Sequence, residues 1–101
     1  MRMLMTVKMS TAEFNANCKS GNASKIINRI MEETRPEAAY FTAEDGCRTA
    51  MLIVNFDDPS AIPRFAEPWF LNFNASIEFK PVMTPDDLRK AALDDLGRKW
   101  G

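Results

Sequence analysis

"EAAYFTAEDGCRTAMLIVNF" (residues 37–56) decides the fold. Two strand-like runs flank Asp45-Gly46. Asp-Gly in that setting is the strongest short hairpin signal, because a type I′ turn needs positive φ at both central positions. With these two residues as the loop, Glu44 faces Cys47, Thr42 faces Thr49 and Tyr40 faces Met51. On the opposite face Ala43 meets Arg48, Phe41 meets Ala50 and Ala39 meets Leu52.

Upstream, "RMLMTVKM" (residues 2–9) alternates, with Met3, Met5, Val7 and Met9 on one side and Arg2, Leu4, Thr6 and Lys8 on the other. That is a strand with one apolar and one mixed face. Ser10 and Glu13 fit a capping box opening a helix that carries Phe14 and Cys18 on one face. "KSGN" interrupts it, and Ser20 or Asn22 is expected to cap a second segment. That segment places Ile26, Ile27, Ile30 and Met31 at helical spacing and stops before Pro36.

Downstream, Asp58 reads as an N-cap with Pro59 at the first helical position. Ile62, Phe65, Ala66, Trp69, Phe70 and Phe73 then form an apolar stripe, and Asn74 suits a left-handed C-cap. Pro68 lies inside the stripe, where a missing donor is expected to kink or split the helix. "ASIEFKPVM" (residues 75–83) reads as a last strand. Residues 85–96 read as a final helix, capped by Thr84, stopped by Gly97 and followed by a tail.

Strand, helix, strand, strand, helix, strand and an extra helix is the ferredoxin-like βαββαβ order. The expectation is one α+β domain over residues 1–101, with a four-stranded antiparallel sheet, both crossover helices on one face and an extra C-terminal helix. Met3, Met5, Val7, Phe41, Ala50, Leu52, Val54, Ile77 and Phe79 would face the helices. The other side would carry Leu4, Thr6, Lys8, Tyr40, Thr42, Thr49, Met51, Ile53, Asn55, Ser76, Glu78 and Lys80.

Composition narrows the chemistry. The 101 residues are 46% hydrophobic and 27% charged, with net charge -1, and no block of like charge offers a nucleic-acid or membrane patch. No apolar run approaches a membrane span. Thr6 and Lys8 interrupt the apolar start, which argues against a signal peptide. Cys18 and Cys47 form no CxxC pair and read as free thiols in a reducing cytoplasm. The chain contains no histidine, which removes His-based triads, His general bases and the common zinc sites. Neither metal nor cofactor is expected.

"PEAAYFTAEDG", "AEPWFLNFNA" and "FKPVMTPDDL" resemble segments of a family of small uncharacterised bacterial proteins of about this length. In architecture these resemble the dimeric α+β barrel superfamily, in which two ferredoxin-like protomers enclose a cavity between their sheets. The resemblance implies a homodimer. So does the residue pattern, since Leu4, Tyr40, Met51 and Ile53 put too much apolar surface on the second face to stay wet. The spare helix 85–96 is the alternative cover.

Candidate ligand-binding residues follow from that face. Tyr40 could point a phenol into a cavity beside Thr42, Thr49 and Met51, or pack at a dimer interface. Glu78 and Lys80, with Lys8 nearby, read as cross-strand pairs or as the polar end of a cavity. Trp69 beside the Glu67-Pro68 break could border a site, but it continues the core stripe in phase. Cys18 reads as buried and Cys47 as exposed. Arg48 reads as a surface charge, or as a rim group for an anion.

Two function classes compete. One is a non-enzymatic homodimeric module that binds a small molecule or protein partner between or beside its sheets. The other is a cofactor-independent monooxygenase or isomerase acting on a mostly apolar substrate, with Tyr40 or Glu78 as its acid–base group. RNA binding on the open sheet is disfavoured, because the central strands lack paired stacking aromatics.

Overall fold

A computed structural model describes residues 1–101. It runs β1 (Arg2–Lys8), α1 (Thr11–Ser20), α2 (Ala23–Thr34), β2 (Ala38–Glu44), β3 (Cys47–Asn55), a 3-10 turn (Pro59–Ala61), α3 (Ile62–Phe73), β4 (Ser76–Pro81), α4 (Pro85–Lys90) and α5 (Leu93–Trp100). The strands form one antiparallel sheet in the order β2-β3-β1-β4. This is the ferredoxin-like arrangement, with β1 and β3 central.

The hairpin sets this order. Asp45 and Gly46 take φ of 53° and 75°, as a type I′ turn requires. The ladder pairs Glu44 with Cys47, Thr42 with Thr49 and Tyr40 with Met51, the register that the two-residue loop dictates. β1 then pairs Met5 with both Leu52 and Phe79, and Thr6 with both Met51 and Glu78.

The core lies between the helices and one face of the sheet. Met3, Met5, Val7, Ala50, Leu52 and Val54 are buried there beneath Phe14, Ile30, Phe65, Trp69 and Phe73. Phe14 stacks on Phe73 with centroids 4.9 Å apart, and the Arg48 guanidinium caps the Phe14 ring at 4.7 Å. Arg48 also donates to the Asn15 side chain at 2.8 Å, so it is the surface charge that the sequence suggests, held over the edge of this layer.

Several local expectations are corrected. Pro68 does not split the helix, because α3 runs unbroken from Ile62 to Phe73. Buried Phe65 and Ala66 before the proline, and Trp69 and Phe73 after it, hold both halves on the sheet. Ile62 and Phe70, at the margins of the stripe, are exposed. Cys18 is exposed, not buried. α1 inserts only Phe14 into the core and ends at left-handed Gly21, so the next turn already faces water. Neither proposed side chain caps α2: Asn22 sits at its N-cap with no side-chain bond, while the Ser20 hydroxyl donates back to the Asn17 carbonyl.

Two further corrections concern the margins of the molecule. Phe41, expected under the helices, is 51% exposed. It is on the expected face, but β2 is an outer strand beyond the reach of the helical layer. The C-terminal helix is not a single rod ending at Gly97. Ala92, at φ 53°, breaks it into α4 and α5, and Gly97 lies inside α5.

Every residue of α5 is exposed, and no residue of α4 is buried. The molecule is consequently drawn out to 59 × 28 × 19 Å, with a radius of gyration of 17.0 Å. A compact chain of this length has about 13 Å.

Candidate functional site

The face of the sheet opposite the helices is a grid of four strands. One row reads Tyr40, Met51, Thr6, Glu78 from β2 to β4, and the next reads Thr42, Thr49, Lys8, Ser76. On the far side of the first row come Ala38, Ile53, Leu4 and Lys80. Five of the six candidate ligand residues therefore share one face: Tyr40, Thr42, Thr49, Met51 and Glu78. The sixth, Trp69, is 1% exposed in the core on the other side of the sheet, tilted against Phe73 at 6.0 Å between centroids.

Burial across the grid is uneven. Leu4, Thr6, Met51 and Ile53 are half-buried at its centre, and Tyr40 is 70% exposed at the β2 edge. Thr42 and Glu78 are exposed, while Thr49 has 0% exposure. Thr49 sits between Thr42 and Lys8 in the ladder, and its hydroxyl donates to the Cys47 carbonyl at 3.1 Å. Cys47 itself is half-buried beside the turn.

Two ion pairs frame the apolar centre. At the turn end, Lys8 Nζ lies 2.8 Å from Asp45 Oδ2. This hydrogen bond, reinforced by opposite charge, holds the Lys8 ammonium above its ordinary pKa and the Asp45 carboxyl below its own. At the other end, Arg2 grips Glu37 through two bonds of 2.7 Å, raising the Arg2 pKa and lowering that of Glu37. Lys8 therefore pairs with the turn and not with Glu78. Sequence parity placed Arg2 and Lys8 on this face, but their carboxylate partners lie in the turn and before β2, outside the alternating pattern.

A second concavity lies on the helical side. α2 and α3 leave a groove of about 320 Å³ between them, with Arg29, Glu33, Arg64, Glu67 and Pro68 among its lining residues. Arg64 donates to the Glu33 carbonyl at 3.3 Å, and Arg29 pairs with Glu33 along α2 at 3.5 Å. Pro68 has no N–H to offer the Arg64 carbonyl. The Asn72 side chain donates to the Pro68 carbonyl at 2.7 Å, stitching the next turn. The i,i+4 spacing of Arg29 and Glu33 is visible in the sequence, whereas the approach of Arg64 from another helix is not.

No grouping of Cys, Asp and Glu is placed to hold a metal ion, and every buried polar side-chain atom has a partner. The carboxyls shifted from their ordinary range belong to ion pairs or helix caps: Glu37, Asp45, Asp58 and Asp87. No helix is long and apolar enough to cross a membrane.

A family model described as a domain of unknown function (DUF3303) matches residues 1–95. The chain belongs to the DUF3303 family. That match runs from β1 through α4 and ends in the first turn of α5, so the DUF3303 unit takes in the sheet, the helical layer and the start of the C-terminal extension. No curated protein matches the chain.

Proposed function

We propose that the chain works as a cytoplasmic homodimer of the dimeric α+β barrel type, as in the bacterial proteins it resembles. Its open sheet face packs against that of a second copy and holds a small, mostly apolar ligand, or a protein partner, at the margin. The observation that carries this reading is the framed face itself. Leu4, Met51 and Ile53 are half-buried at its centre, Tyr40 is exposed at its edge, and the pairs Arg2–Glu37 and Lys8–Asp45 close its two ends. Twisted sheets packing about 10 Å apart bury their centres and diverge toward their edges. The divergent margin would present Tyr40, Thr42 and Glu78 to a ligand.

Binding is favoured over catalysis by distance. Tyr40 and Glu78 occupy opposite ends of one row, three strand spacings or about 14 Å apart. Within a protomer they cannot act on one substrate atom. The monooxygenase or isomerase reading is therefore left with one of the two as a lone acid–base group, unless Tyr40 of one protomer meets Glu78 of the other.

Sedimentation velocity at tens of micromolar tests the assembly, with a dimer expected for the wild type. Met51→Glu should yield a monomer of unchanged helix content. A thermal-shift screen with aromatic and quinone-like compounds then tests the ligand, with stabilisation expected only in the dimeric protein. A clean wild-type monomer overturns the reading.

A further inference from the structure

The C-terminal extension carries an apolar stripe that the rest of the chain leaves exposed. Met83, Leu88, Leu93, Leu96 and Trp100 are all exposed, Trp100 at 78%. In α5, Leu93, Leu96 and Trp100 fall at i, i+3 and i+7, on one side of the helix. α4 and α5 fold toward each other around a cleft lined by Leu88, Ala92 and Leu93.

The base of this extension is firmly built. Val82 makes a last backbone bond to the Arg2 carbonyl at 3.1 Å. Thr84 and Asp87 then close a reciprocal capping box at 3.0 and 3.1 Å. Its middle is held at a cost, because Ala92 is left-handed at φ 53°. A non-glycine residue is strained there, and within one chain no residue of α4 or α5 is buried to offset it.

Surface area says how much packing is missing. A compact chain of 11.4 kDa exposes about 5,800 Å². This one exposes 6997 Å², an excess of about 1,200 Å² on that scaling. Doubled over two chains, the excess falls in the range of stable dimer interfaces.

A matching vacancy lies at the far edge of the sheet. On its helical side, outer strand β2 leaves Phe41 half exposed, flanked by Ala39 and Ala43. β2 and β4 are opposite edges, and the extension leaves from β4 away from the domain, so the stripe and the vacancy do not meet within one chain. In a two-fold dimer each extension can reach the other copy, and every such contact occurs twice.

We infer that α4–α5 is an exchange arm: each protomer lays its Leu88, Leu93, Leu96 and Trp100 stripe across β2 of its partner, covering Phe41. This rests on the homodimer proposed above and adds a second, separate contact to it. Charge favours a second copy over a lipid surface. The arm carries Asp86, Asp87, Asp94 and Asp95 against Arg89, Lys90, Arg98 and Lys99, and an arm without net charge gives an anionic membrane little hold. At 1.5 Å per residue the eight residues of α5 alone span about 12 Å, enough to cross two neighbouring strands.

The full chain with Leu93→Asp and Leu96→Asp together tests the arm, alongside Phe41→Ser on the receiving strand. Both changes lie at exposed positions and leave the protomer core untouched. The dimer Kd should rise at least about a hundredfold for the arm variant and about tenfold for Phe41→Ser. In the wild type, amides of residues 84–100 and of β2 should exchange slowly, and in the arm variant quickly. A wild-type dimer whose Kd the arm variant leaves unchanged overturns the arm and spares the dimer. A wild-type monomer at tens of micromolar overturns both. Arm substitutions that lower Tm without changing association overturn exchange in favour of packing on the same chain. Wild-type binding to phosphatidylglycerol vesicles, lost in the arm variant, reassigns the stripe to a lipid surface and overturns it as well.

Discussion

The Lys8 ammonium lies 2.8 Å from the Asp45 carboxylate, joining central strand β1 to the turn between β2 and β3. The pair links a central strand to the tip of the hairpin, at the end of the open face where Thr42, Thr49 and Lys8 stand in one row.

A pH window follows. Asp45 is held below its usual pKa, so its contribution is present above the unfolded carboxyl pKa and is lost as pH falls through the folded one. Lys8 is held above its usual pKa, so its contribution is present below the unfolded ammonium pKa and is lost as pH rises through the folded one. Asp45→Asn keeps the turn chemistry, since Asn-Gly also suits type I′. It should cost a little stability between about pH 4 and pH 10. Urea titrations of both proteins should converge outside that window, and a difference that persists at pH 2 would mean the charge is not responsible.

Gly46→Val isolates the backbone. At φ 75° a β-branched residue is strained, and a side chain added there meets nothing within 4 Å. The loss, about 1–2 kcal/mol by chemical denaturation, should therefore be conformational. Unchanged stability would contradict the left-handed turn.

Pro68→Ala restores an N–H for the Arg64 carbonyl inside an unbroken helix. Stabilisation of about 1–2 kcal/mol is expected, after allowing for the stiffer unfolded chain that proline provides. A clear loss of stability would instead mark the groove beside Glu67 and Pro68 as a place where the proline is required.

Two kinds of order differed in how far they could be read from residues alone. Strand parity and the hairpin register were legible, because a period of two and one Asp-Gly turn determine which residues face each other. Met5, Leu52 and Val54 are buried and Tyr40 faces Met51 as that logic requires. Coverage was not legible. Phe41 and Cys18 have the right parity for burial and are exposed all the same, because the width and position of the helical layer depend on how α1 and α2 divide the work. The break at Ala92 carried no signal either, since alanine is the residue least expected at positive φ. Of the candidate site, five residues share a face by parity alone. The ion pairs that bound it were hidden, because Glu37 and Asp45 lie outside the strands' alternation.

The uncovered outer strand has a consequence for solubility. "AAYFTA" (residues 38–43) is an edge segment without charge, proline or glycine, and its outward backbone groups are open to any other extended chain. Such segments template intermolecular β-pairing and fibre growth unless something shields them. Whatever sits against β2 therefore also acts as a guard against self-templating. Loss of that guard, as in the Leu93→Asp and Leu96→Asp chain, should shorten the lag before thioflavin-positive aggregates form, and Tyr40→Lys on the same strand should lengthen it again.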